Sequence, residues 1–331
     1  MLVVGRFCCY KARKKTIITT KRGSLMSAIL VFGGINVDRN YTLKETFVPG
    51  VSNPCVGQMS VGGVAHNLAA HMKSLGTENV ALVSMVGNDE GGNQVIAACE
   101  SIGIDTHFFQ RDLNYPTGEY ICAVDDEANV LFGLANMDIY DDITVETLAM
   151  HSKAFQEYKH WAVDTNFPSD VLRYILESNA DGTSYMTVTS LPKVMKAKDS
   201  LKYVDHIFLN TGEAAGLLDY SINSFDDAAE AIKRIHDMGP KVVYLTQGDA
   251  GCMYSEGGQI KQVVPTVRRV VRSGGAGDAF SAACIHAHAA GIKDFMKFGM
   301  DYATKFVEGD IDPYANVPLD FISKSTIKNA A

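Results

Sequence analysis

Gly275, Ala276, Gly277 and Asp278 stand in a row at the head of a run of small and apolar residues that reaches Ala290. Residues without a Cβ let the backbone approach a ligand closely. The N–H groups at the start of a helix bind phosphate oxygens and the negative charge of a phosphoryl group in transit. Asp278 falls in the first turn of the helix that follows, placed to take the proton of an attacking hydroxyl. Phosphoryl transfer asks for little beyond positioning, charge neutralisation and one such base. The simpler alternative is a helix cap: a glycine turn, then an acid that the helix dipole favours.

Two further groups weigh against that alternative. Asn210 and Glu213 follow a predicted strand one helical turn apart, an amide and a carboxylate suited to holding hydrated Mg²⁺. Thr246, Gly248 and Gly251 follow another strand and can wrap the phosphates of a nucleotide. Singly each is weak, because Asn and Glu cap helices routinely. Three such groups in this order, each at a strand end, favour the chemistry.

A second set lies near the N-terminus. Asn36 and Asp38 leave the first strand, and a carboxylate accepts two hydroxyl protons of a sugar. A dinucleotide-binding reading fails there, since the spacing is not GxGxxG and no strand–glycine–helix unit follows. Gly62 and Gly63 open a helix that carries Asn67, so a small ligand can rest on backbone with an amide beside it. The alternatives are an ordinary turn acid for Asp38 and an N-cap for Asn67.

These residues need elements to position them. Apolar runs closed by glycine or polar residues predict strands at 28–32, 80–86, 160–163, 185–188, 206–209 and 242–246. Helical spacing predicts helices at 67–75, 94–101, 144–155, 169–178, 225–238 and 276–290, with Gly76 closing the first. Such alternation predicts an α/β fold, a mostly parallel sheet with helices on both faces. Two stretches break the rhythm. Residues 39–61 carry Pro49, Gly50, Pro54 and Gly57, and residues 117–136 read as two strands around a polar turn. They are expected to pair into a small β lid over the carboxyl ends of the sheet strands, where open α/β sheets bind ligands.

Net charge is −8 over 331 residues, which argues against nucleic acid as a partner. Residues 1–27 hold seven basic side chains and no acid, so the remainder is more acidic than the total. That leader is expected to be a disordered tail on a kinase domain spanning 28–325; the alternative is an organellar transit peptide. No apolar run approaches the ~20 residues of a membrane span. Seven scattered cysteines with no CxxC pair fit a reducing compartment, hence the cytoplasm, and no structural zinc.

The run Gly275 to Asp278, the Asn210–Glu213 pair and the loop at Thr246, Gly248 and Gly251 together resemble the ribokinase-like family of carbohydrate and nucleoside kinases. The resemblance covers about residues 28–320. It implies a ribokinase-like fold, ATP and Mg²⁺, Asp278 as catalytic base, and Gly275, Ala276 and Gly277 as the anion hole. It further implies Asn210, Glu213, Thr246, Gly248 and Gly251 at the nucleotide, and Asp38, Gly63 and Asn67 at the ribosyl group. One departure is local. Arg272, Ser273 and Gly274 replace the Asp-Thr-Thr-like triplet that precedes the motif, which leaves a monovalent-cation requirement open. Arg272 could neutralise phosphate charge, but a solvated side chain is the favoured reading.

Ser52–Pro54, Gly62–Val64, Thr117–Tyr120 and the stretch from Ala135 to Tyr140 are most similar to the pseudouridine kinase subfamily. That similarity implies transfer to a nucleoside 5′-hydroxyl, with Ser52, Asn53, Thr117, Asp138 and Lys193 as further acceptor contacts. A ribose or purine-nucleoside kinase is the alternative within the family. A non-catalytic nucleoside-binding homologue is the alternative outside it. Exposed lid strands would suit a homodimer.

Overall fold

Ile29, Leu30, Val31 and Phe32 are all buried, and alternate members face opposite sides of one sheet. Leu30 and Phe32 join a core with Trp161, Val163, Met186 and Ile207. Ile29 and Val31 join a second core with Leu68, Ala282 and Phe306. A strand covered on both faces needs no polar alternation, which is why the sequence reads as an unbroken apolar run. The structure is a computed structural model and describes residues 28–315 apart from 128, 257 and 273. The predicted disorder of residues 1–27 falls outside the described residues.

Among the described residues the main sheet has eight strands. In spatial order they are Gln259–Val263, Cys252–Glu256, Val242–Thr246, His206–Asn210, Thr183–Thr187, His160–Asp164, Ile29–Phe32 and Val80–Val83. The last six run parallel; Cys252–Glu256 runs against them, and Gln259–Val263 pairs antiparallel with Cys252–Glu256. Helices Ser169–Ser178 and Phe225–Asp237 and the 3₁₀ stretch Leu191–Tyr203 cover one face. Helices Val64–Ser74, Glu90–Ser101, Ala276–Ala289 and Phe295–Val307 cover the other. This is the ribokinase-like α/β arrangement that the alternation predicts. Parallel strands all end at the same edge, so Gly33, Asp164, Thr187, Asn210 and Thr246 come together although up to 213 positions separate them in sequence.

A second sheet pairs Cys55–Gly62, Asn36–Leu43, Glu119–Val124 and Val130–Asn136 in that order. It grows directly from the first strand through Gly33, Gly34 and Ile35. At Gly63, φ is +96° and a Cβ would stand 2.4 Å from Gly34 O, so only glycine permits the sheet and the Val64–Ser74 helix to meet here. No described helix is long and apolar enough to cross a membrane.

Three details differ from the sequence expectation. The predicted strand at 80–86 is two strands, Val80–Val83 and Met85–Gly87, the second pairing with Gln110–Asp112 in a sheet of its own. Ser84 makes the break by donating its hydroxyl to Gly33 O at 2.6 Å. The predicted helix at 144–155 is also two pieces, Val145–Ala149 and Ser152–Phe155. His151 N–H bonds Leu148 O three residues back, tightening the turn and restarting the helix. Finally, the antiparallel pair at the sheet edge and the helix Phe295–Val307 were absent from the sequence reading. That helix crosses Ala276–Ala289 closely, with Gly299 against Cys284.

Candidate active site

The anion end is built at the start of the Ala276–Ala289 helix. Gly275 is its N-cap with φ +80°, and the first helical hydrogen bond runs from Ala279 N to Gly275 O at 2.9 Å. The N–H groups of Ala276, Gly277 and Asp278 therefore precede the helical ladder and stand at its positive end. The loop leading in is fastened from behind. Arg268 and Arg269 bond Glu308 and Asp310, just past the Phe295–Val307 helix, and the N–H groups of Val271 and Arg272 both reach Val307 O.

A cavity of about 260 Å³ opens in front of these groups. Gly275, Gly277 and Asp278 line one side; Asn210 and Thr246, at the ends of two adjacent parallel strands, and Glu213, in the first turn of the helix Thr211–Leu218, line the other. Asn210 and Glu213 form a full capping box: Glu213 N–H donates to Asn210 Oδ1 and Asn210 N–H to Glu213 Oε2, each at 2.9 Å. The capping alternative is thus true of this pair, and the cavity is lined by it as well. Glu213 is 7 % exposed, and burial raises its carboxyl pKa above the usual range. Gly248 and Gly251 flank this pair of strands in the loop after Thr246, where Gln247 N–H bonds Gly251 O at 2.8 Å.

Asp278 lines this cavity and is bonded to the Val64–Ser74 helix. Asn67 Nδ2 donates to its Oδ2 at 2.8 Å, and Asn67 Oδ1 accepts from the Tyr314 hydroxyl at 2.8 Å. Burial pushes the Asp278 carboxyl up to about 6, the Asp164 and Glu213 charges act in the same direction, and the Asn67 bond opposes them.

At the acceptor end, Asn36 is buried and donates Nδ2 to Asp38 Oδ1 at 2.5 Å. Asn36 pairs with Gly62 across the strands, and a Cβ at Gly62 would land 2.2 Å from Asp38 Oδ2. Burial raises Asp38 to about 6, with the Asn36 bond opposing. Two buried groups hold the turn before it. Tyr140 bonds both the N–H and the carbonyl of Ile35, and Asp164 accepts Gly34 N–H at 2.8 Å. Neither was picked out as a site residue from sequence, although Tyr140 closes the Ala135-to-Tyr140 run and Asp164 stands at a strand end. Tyr314 carried no sequence signal, because its partners lie more than 200 positions away.

The remaining expected contacts are placed differently. Asn53 spends its amide on its own loop, bonding Val48 N–H and the carbonyls of Val48 and Val51, with Ser52 exposed beside it. Thr117 is buried; its hydroxyl donates to Asp89 and accepts Gly87 N–H, bracing the Gly87–Gly92 turn. Asp138 is exposed at the head of a 3₁₀ turn. Lys193 donates to Asn166 Oδ1 beside Asp164. Arg272 is not simply solvated. Its guanidinium lies 5.0 Å from the Phe306 ring centre and 4.0 Å from Asp312 Oδ1.

Residues 26–309 match the profile of the pfkB family carbohydrate kinases. The chain belongs to the pfkB family. As a pfkB-family carbohydrate kinase it is a phosphotransferase with an alcohol group as acceptor. It is 27 % identical over 287 residues to the pseudouridine kinase of Escherichia coli K12, covering 85 % of this chain and 88 % of that one. A carbohydrate kinase from Agrobacterium tumefaciens superposes with a TM-score of 0.77 at 25 % identity, covering 89 % of this chain and 95 % of that one. Arabidopsis thaliana ribokinase, complexed with ribose and ATP, gives 0.77 at 19 % identity, covering 89 % and 96 %. The two solved structures share the fold of this pfkB-family kinase.

Proposed function

We propose that the chain transfers the γ-phosphate of ATP to the 5′-hydroxyl of pseudouridine, giving pseudouridine 5′-phosphate and ADP. The observation that carries phosphoryl transfer is Asp278. It lines a cavity walled by the glycine run, with Oδ2 bonded to Asn67 and no hydrogen-bond partner for Oδ1 among the described residues. That oxygen takes the proton as the hydroxyl attacks, while the N–H groups of Ala276 and Gly277 meet the charge on the transferring group. Asp38, with Asn36 behind it, accepts the ribose hydroxyls, and the backbone at Gly62 and Gly63 gives the sugar room.

ATP phosphates fit between the glycine run and the strand ends at Asn210, Glu213 and Thr246. Mg²⁺ fits there through its water shell. The capping box leaves Glu213 Oε1 and a lone pair of Asn210 Oδ1 to accept protons from metal-bound water. No set of three His, Cys, Asp or Glu among the described residues could bind a metal directly. When bound, the ion supplies charge neutralisation at the phosphates.

Pseudouridine is favoured by the identity to the E. coli enzyme along nearly its whole length. The second sheet acts as a lid, closing over the nucleoside and excluding water. Its edge strand Val130–Asn136 exposes Val130 and Leu134 by 66 % and 57 %, and a second copy of this chain would cover it. A coupled assay of ADP release across pseudouridine, uridine, adenosine, inosine and ribose tests the acceptor. Pseudouridine is expected to give the highest kcat/KM; preference for any other member overturns the substrate.

A further inference from the structure

Residues 308–315, after the Phe295–Val307 helix, turn back into the site, and Tyr314 is the residue that arrives. It lies beyond the end of the family match at residue 309. Its hydroxyl donates to Asn67 Oδ1 at 2.8 Å, while Asn67 Nδ2 donates to Asp278 Oδ2 at the same distance. The Tyr314 ring stacks on His66 with centres 5.8 Å apart and planes inclined by 17°. His66 is 1 % exposed, so this stack leaves the tyrosine little freedom.

We propose that Tyr314 is a positioning residue for phosphoryl transfer, fixing the Asn67 amide so that its N–H, and not its oxygen, faces Asp278. This rests on Asp278 being the base. A primary amide can turn over and exchange its donor and acceptor ends. Burial and the nearby Asp278, Asp38 and Asp312 carboxylates keep Tyr314 protonated, so its hydroxyl has a proton to give, and the structure sets that proton on Asn67 Oδ1. With the Tyr314 proton on Oδ1, only the N–H end remains for Asp278. Turned over, Asn67 would set an amide oxygen against a carboxylate, two acceptors with no proton between them. The carboxylate would then be less favoured, because the Asp164 and Glu213 charges and burial already press against it. Held as it is, the bond ties down Oδ2 and leaves Oδ1 to meet the acceptor hydroxyl.

Tyr314→Phe removes one hydroxyl and keeps the ring against His66. It is expected to lower kcat about tenfold, leave KM for ATP within twofold, and move the acid limb of the kcat profile to higher pH. A purely structural tyrosine would lower the melting temperature without moving that limb. In an Asn67→Ala background the same change is expected to add less than twofold, since its effect passes through Asn67. Wild-type kcat with an unmoved acid limb overturns the inference, as do losses that multiply in the double variant. If Tyr314→Phe does not fold, Tyr314→Met carries the same comparison. Wild-type turnover by Asp278→Asn would instead defeat the base assignment, a separate outcome.

Discussion

Asn67 Nδ2 lies 2.8 Å from Asp278 Oδ2, joining a helix of the acceptor side to the helix of the phosphate side across 211 positions of sequence. Each helix is capped by a glycine with positive φ, Gly63 four residues before Asn67 and Gly275 three residues before Asp278. The two helices pack against each other, so the bond holds the Asp278 carboxyl in register with both.

Removal of the base is the first test of that arrangement. Asp278→Asn is expected to cut turnover by about 10²–10⁴-fold, the usual worth of a positioned general base. Stabilisation of the fold by ATP and nucleoside should persist in thermal-shift measurements, because the anion-binding N–H groups stay in place.

The same carboxyl sets a pH dependence. Raised to about 6 in the folded protein, Asp278 is protonated below that pH and cannot accept a proton. kcat should therefore rise through about pH 6 and level off above it. The stability consequence has the opposite sign. The folded state holds this proton more tightly than the unfolded chain, whose value is 3.8, so stability is greatest below that and falls as pH rises through about 6. Asp38 adds to the same trend. At neutral pH, Asp278→Asn should accordingly gain stability on the order of 2 kcal/mol, read from chemical denaturation.

Gly277 separates function from folding. A Cβ there meets no atom within 4 Å, and its φ is not positive, so Gly277→Ala should leave the fold as stable or more stable by about 0.5–1 kcal/mol. The added methyl enters the wall of the phosphate cavity. Steady-state kinetics should show kcat/KM for ATP down by at least tenfold, with the melting temperature unchanged or higher.

Glu213→Gln keeps an oxygen that can accept Asn210 N–H, so the cap survives, but it removes the one acidic group that lines the strand side of the cavity. A titration of activity against free Mg²⁺ should show half-saturation at several-fold higher concentration. KM for the nucleoside should stay within twofold.

Local chemistry was legible in the sequence where one short segment carries it. Glycines before Asp278, the Asn210–Glu213 pair and the apolar strands each report themselves, because a helix N-terminus and a sheet core impose residue types on their own stretch of chain. Thr117, Asn53 and Lys193 have polar groups that look free in a sequence, but folding commits them to Asp89, to Val48 and Val51, and to Asn166. Pairings between distant positions leave no local trace: Tyr140 on Ile35, Asp164 on Gly34, Arg272 over Phe306, Tyr314 on Asn67. The sequence by itself determined the strand–helix alternation and the mostly parallel sheet. Only the tertiary structure decided which polar groups remain open to a ligand, because a hydrogen-bonding side chain is free or spent according to what the fold sets beside it.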